Sequence, residues 1–260
     1  MSPNLKMIFG CLSVFASAFA FYLATVVIKW AKLGGADIPP AFFVFSRFIL
    51  GFFIVLMVMA VKQQQIKVKK KRYLIGRAVA NMVAVYCFFM GVDLTSVAEA
   101  NILNMTYPLF IAVFSWIFLK DQRDPVAIVI VIIAFAGVWL ILAPAQMAFE
   151  RSSLWGLASG ISAAVAIIYL NLSRQYHDTQ TTLFFLFGTG SVVVFALFYD
   201  QMAIPSALEF KYLFWCSVFS IAGQYLITLG FKYVTAIEGG IISSTRILLA
   251  ALLGPLIALD

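Results

Sequence analysis

Nine stretches of this chain are each long and apolar enough to cross a lipid bilayer as a helix, and that one feature restricts the fold more than any motif does. A spanning helix needs about 20 predominantly apolar residues to cross a hydrocarbon core of roughly 30 Å. The stretches are 7–28, 38–61, 73–92, 97–119, 126–143, 154–172, 183–199, 212–231 and 234–259. They are continuously apolar rather than alternating, which excludes a β-barrel. Of 260 residues only 11% are charged, against about 25% in a soluble domain, so the chain cannot cover a water-facing surface. The sequence therefore predicts an all-α, polytopic integral membrane protein whose solvent is lipid.

The remaining charges lie mostly between the apolar stretches, where they report orientation. With the N-terminus inside, inside positions collect 11 basic residues: Lys6, the run Lys62, Lys67, Lys69, Lys70, Lys71 and Arg72, and then Lys120, Arg123, Arg174 and Lys232. Outside positions hold 4, namely Lys29, Lys32, Arg151 and Lys211. That imbalance predicts a cytoplasmic N-terminus. The Lys62–Arg72 run sits between two spans, so it reads as a topology signal and not as a nucleic-acid patch. Lys6 and the following apolar run resemble a signal peptide, but the run reaches residue 28, too long for a cleaved one. Cys11, Cys87 and Cys216 all fall inside apolar stretches as small hydrophobes. No metal-ligand cluster and no cofactor motif is expected.

An internal repeat is the most informative pattern. Residues 73–121 align with 212–260 at a constant offset of 139, with 11 identities in 49 positions. Tyr73/Tyr212, Tyr86/Tyr225, Gly91/Gly230, Glu99/Glu238, Thr106/Thr245 and Asp121/Asp260 are among them. The offset carries spans three and four onto spans eight and nine, five spans on. An odd number inverts the second copy relative to the first. Such repeats place a site near the midplane and permit alternating access. The expected organisation is a first repeat over 1–145, with helices 1–5, and a second over 150–260, with helices 6–9. A counterpart to the fifth helix is missing after Asp260, so a ten-helix parent is expected, with a genuine nine-helix protein as the alternative.

Ionisable groups inside spans cost roughly 2.5–3.5 kcal/mol each and are functional candidates. Arg246 lies near the middle of span nine, where its guanidinium suits a substrate carboxylate or phosphate. A structural contact between helices is the competing reading, and the same pair of readings applies to Arg47 in span two. Glu99 and Glu238, as repeat mates, are candidates for proton coupling or for helix caps. Asn101, Asn104, Pro108, Ala112 and Ser115 fall on one face of span four, matched in span nine by Gly240, Ser243, Ile247, Ala251 and Gly254. This stripe suits a cavity wall or close packing. Pro108 is expected to free a backbone carbonyl. Tyr86 and Tyr225, with Asn81 and Gln224 nearby, are further candidates for the cavity. Gly156, Gly160 and Ala164 form a small-xxx-small pattern expected at a tight helix contact.

The stretch LTSVAEANILNMTYPLFIAVFSWIFLKD, residues 94–121, resembles the fourth-helix signature of the drug/metabolite transporter superfamily, specifically its EamA-type members. VTAIEGGIISSTRILLAALLGPLIALD, 234–260, is similar to the second EamA repeat, and PPAFFVFSRFILGF, 39–52, to the family's second helix. The resemblance implies two inverted repeats of five helices, a central cavity, both termini cytoplasmic, and residence in a bacterial inner membrane. It further implies transport of small polar compounds: amino acids, amines, nucleotide-derived compounds or drugs. The chain departs from the pattern in lacking a tenth helix and in having Ile247 where Pro108 stands in the first copy.

A secondary transporter of a small metabolite is thus the leading expectation, with the lipid bilayer as surroundings, a proton as candidate coupling ion, and no nucleic acid. A channel is the first alternative, although no carbonyl filter or acidic ring is visible. An intramembrane enzyme is the second. The sole histidine, His177, sits in a loop, and HExxH and GxSxG are absent.

Overall fold

The computed structural model describes residues 3–95, 97–118 and 151–253, with a few further residues between 125 and 136. The fifth predicted span and residues 254–259 of the ninth lie wholly or largely outside the described residues. Within them the chain is helical: α1 (Pro3–Leu33), α2 (Pro40–Val61), α3 (Lys71–Leu94), α4 (Val97–Asn104), α5 (Tyr107–Phe118), α6 (Ser153–Arg174), α7 (Thr179–Phe198), α8 (Ala207–Gly230), α9 (Ala236–Ser243) and α10 (Thr245–Leu253). Among the described residues, seven segments are long and apolar enough to cross a membrane, α4 and α5 together forming one of them.

Local chemistry marks the helix ends. Gly35 follows α1 at φ +73°, and the amides of Gly35 and Ala36 return to the carbonyls of Lys32 and Ala31 at 3.1 and 2.9 Å. That is the Schellman closure, which uses a left-handed residue that glycine adopts without cost. Pro40 opens α2, where its missing N–H and fixed φ suit the first turn. The Asp178 side chain caps α7, accepting from the Thr181 amide at 2.7 Å. Ser206 with Glu209, and Thr235 with Glu238, close reciprocal capping boxes at the starts of α8 and α9.

The helices pack in cross-paired fashion: α1 lies along α8, α3 along α6, and α2 along α7. Small residues permit the approach. A Cβ on Gly230 would meet Gly10 O at 3.0 Å, and one on Gly91 would meet the Gly156 amide at 3.3 Å. The expected small-residue contact of α6 is present. A Cβ on Gly156 would strike Leu103, and one on Gly160 would come within 2.9 Å of Leu103 O.

Spans four and nine differ from the continuous helices expected of them. Each is interrupted, at Met105–Thr106 and at Ser244. Proline alone does not explain this, because Ile247 replaces Pro108 in the second copy. Both copies share a threonine that bonds backward. Thr106 Oγ1 donates to Leu103 O at 2.6 Å and Thr245 Oγ1 to Ile242 O at 2.7 Å. Side-chain donors of this kind compete with the helical ladder. The backbone tightens within one residue of the same register, with Thr106 N bonding Leu103 O and Ser244 N reaching Ile241 O, both at 3.2 Å.

Candidate functional site

The two interruptions meet at a cavity of about 120 Å³ lined by α1, α3, α6, α8 and residues flanking both breaks. Its wall is mainly apolar, with polar groups at a few points: Arg47, Arg77, Asn81, Asn104, Gln224 and Arg246. No aspartate or glutamate among the described residues lines it. The volume holds several waters or a compact organic molecule.

The position of Arg246 follows from the break in span nine. It is the second residue of α10, and its Nη2 donates to Asn104 Oδ1 at 2.9 Å, on the last residue of α4. Asn104 Nδ2 in turn donates to Ser159 Oγ on α6. The guanidinium lies 5.6 Å from the Phe88 ring centroid, a cation–π contact. Tyr107 and Ser243 line the same cavity. Arg47, from α2, donates through Nη2 to Gln224 Oε1 at 2.9 Å and lies 5.5 Å from the Phe21 ring centroid. Arg77 and Asn81 occupy successive turns of α3 on the same wall.

Several donors here lack partners. Arg47 Nε, Arg77 Nε, Arg246 Nε, Asn81 Nδ2 and Gln224 Nε2 are buried without a hydrogen bond, as is Ser243 Oγ. No ion pair between described residues neutralises the three arginines, and the charge of Arg47 acts against both neighbours. Buried polar groups are ordinarily satisfied, and unpaired cations are costly. The cavity is therefore a concentration of positive charge and unpaired donors, chemically complementary to an oxyanion.

Of the residues singled out in the sequence, Arg246, Asn104, Ser243 and Arg47 converge on this cavity. Asn101, Tyr86 and Tyr225 do not line it. Tyr86 stacks on Phe198 at 4.7 Å, and Tyr225 donates its hydroxyl to Gln180 Oε1 at 3.1 Å, beside a separate surface recess. Neither glutamate lines the cavity. Glu238 accepts from Thr235 N at 2.8 Å in its capping box, and Glu99 accepts from Ser153 Oγ on α6. The interruption falls between Asn104 and Pro108, and Asn104, Pro108, Ala112 and Ser115 are buried on both sides of it. Arg77 was missed as a site residue, though being an arginine inside a span marks it as it marks Arg246.

His177 is 5% exposed and works as a clasp outside the membrane-spanning segments. Its Nε2 accepts from the backbone amides of Lys69 and Lys70 at 3.2 and 3.3 Å, so Nδ1 carries the proton, facing Ser173 O at 3.2 Å. Burial holds its pKa below the usual histidine value. The Arg174 and Lys69 charges push the same way, opposed by the Ser173 carbonyl and Asp178.

The sequence profile of the EamA-like transporter family matches residues 8–143 and 151–258. The chain is 24% identical over 229 residues to the pseudopaline exporter CntI of Pseudomonas aeruginosa, covering 87% of this chain and 80% of that protein. It is 26% identical over 242 residues to an uncharacterized transporter of Helicobacter pylori, with coverage of 88% and 80%. One solved crystal structure superposes with a TM-score of 0.75 at 17% identity, covering 96% of this chain and 88% of that one, which is a likeness of fold.

Proposed function

The chain belongs to the EamA-like transporter family, and on that footing we propose that it is a secondary carrier moving a small polar metabolite with an anionic group, such as an amino-acid-like compound, by alternating access. One observation carries this reading: unpaired guanidinium and amide donors surround a cavity where two interrupted helices meet, with no acidic side chain among the described residues of its wall. Discontinuous helices around a central site are the common architecture of carriers built from inverted repeats.

The packing supports an inverted duplication. Exchanging the halves turns the α1–α8 pair into the α6–α3 pair and maps α2–α7 onto itself. The offset of 139 also turns the Arg246–Asn104 pair into Tyr107–Ser243, two residues lining the same cavity. In this reading the N-terminus faces the cytoplasm of a bacterial inner membrane, and Glu99 and Glu238 face opposite sides.

The test is uptake into proteoliposomes across a panel of amino acids, amines and carboxylates. Saturable flux that is accelerated by unlabelled substrate on the far side is expected. Linear, non-saturating flux would replace the carrier with a channel. Labelling of single cysteines at positions 99 and 238 from opposite faces tests the inversion.

A further inference from the structure

Arg77 is the cavity arginine that the fold leaves least satisfied. Arg246 and Arg47 each have a hydrogen-bonded amide and an aromatic ring. Arg77 is 2% exposed, its Nε has no partner, and among the described residues neither a ring nor a carboxylate is paired with its guanidinium. It is too deeply covered by protein to reach a lipid headgroup. Its repeat mate is Cys216, so the second half manages without a cation at this position.

The placement of Arg77 is as informative as its lack of partners. It begins a stripe on α3 that continues through Asn81, Val85 and Phe88, all on the cavity wall. Asn81 Nδ2, one turn on, also lacks a partner. Phe88 carries the Arg246 guanidinium, and eleven residues of helix separate it from Arg77, about 16 Å along the axis. Arg47 lines the same cavity, hydrogen-bonded to Gln224. The cavity thus has donor groups toward two ends and apolar wall at Ala84 and Val85. A single anionic group on a ligand answers one end only.

We propose that Arg77 and Asn81 form a second oxyanion subsite, and that the cavity takes an elongated organic dianion, with an oxyanion at each end and an apolar spacer. The proposal rests on the carrier reading but fails separately from it. The two cationic ends select for two negative groups, and the apolar wall selects for methylenes between them.

The experiment uses the full-length purified protein at pH 7.5, with thermal shift and proteoliposome flux read in parallel. The probes are glutarate, adipate and suberate against hexanoate and 1,6-diaminohexane. Wild type should be stabilised by a dicarboxylate at concentrations about tenfold or more below those hexanoate needs. Arg77→Gln should erase that preference and leave the hexanoate response in place. Asn81→Ala should reduce the preference in a variant that keeps all three arginines, and it serves where Arg77→Gln fails to fold. Equal responses to adipate and hexanoate in wild type, or an undiminished preference in a folded Arg77→Gln or in Asn81→Ala, would overturn the proposal. So would loss of the dicarboxylate preference on adding phosphatidylglycerol, which would make a lipid phosphate the occupant. Dianion binding without saturable flux would sink the carrier reading and leave the subsite standing.

Discussion

Phe48 and Phe187 each rest on the glycine that lies three residues beyond the other. A Cβ on Gly190 would strike the Phe48 ring, and one on Gly51 would strike the Phe187 ring, each at 2.8 Å. Both phenylalanines are fully buried, with ring centroids 6.3 Å apart. Phe48/Phe187 and Gly51/Gly190 are related by the same offset of 139 that aligns spans three and four with eight and nine. The α2–α7 contact is thus a reciprocal lock in which each helix supplies one knob and one hole.

This reciprocity predicts matched losses. Phe48→Ala and Phe187→Ala should each cost about 3–5 kcal/mol, and Gly51→Leu and Gly190→Leu about 1–3 kcal/mol through overpacking. Thermal unfolding of the purified protein checks this. A pair of mates differing widely in cost would show that the lock is one-sided.

Arg246→Ala is expected to abolish uptake while the protein still reaches the membrane. Asn104 then loses the donor on its Oδ1, and the cavity loses the cation nearest both helix breaks. Arg246→Lys should be partly tolerated, because an ammonium keeps the charge but not the planar fork. Flux at matched protein per liposome measures it, and wild-type flux in Arg246→Ala would remove Arg246 from the substrate path.

Thr106→Val should weaken the protein by about 1 kcal/mol, by removing the hydroxyl bond to Leu103 O. Pro108→Ala should leave flux near wild type, because the second copy is interrupted without a proline. Flux destroyed by Pro108→Ala and spared by Thr106→Val would reverse that assignment.

The His177 clasp predicts a pH dependence of stability. Its folded-state pKa lies below the unfolded value of about 6.5. The unfolded chain therefore binds the proton first as pH falls. The stabilisation is complete above about pH 6.5 and is lost as pH drops through the depressed folded value. Protonation also removes the Nε2 lone pair that holds the amides of Lys69 and Lys70. Melting temperature in wild type should fall on acidification below about pH 6.5, with a shallower slope in His177→Gln; equal slopes would assign the acid sensitivity elsewhere.

The bilayer class, most span positions and the offset of the repeat are legible in residue order, because apolar length and paired polar residues report them directly. Arg246, Asn104, Ser243 and Arg47 are legible as cavity-lining residues for the same reason: a polar group inside a span must face something. The inward face of α3 is marked by Arg77 and Asn81, one turn apart on the cavity wall, and Tyr86 lies about 140° around the helix from Asn81, off that face. Asn101 shares α4 with Asn104, one turn away, yet stays off the cavity wall, and the break at Thr106 depends on a hydroxyl–carbonyl bond that composition does not reveal. The Phe48–Gly190 lock escaped notice because phenylalanine and glycine matches between apolar helices are frequent by chance.

The glycine contacts that bring Gly10 against Gly230 and Gly91 against Gly156 leave no slack between α1 and α8 or between α3 and α6. Each of those pairs joins one helix from the 8–143 family match to one from the 151–258 match. Close packing therefore ties the two matched regions to each other across the molecule. Half-chains made separately would each lack a partner for both tight pairs, and only co-assembly would restore them.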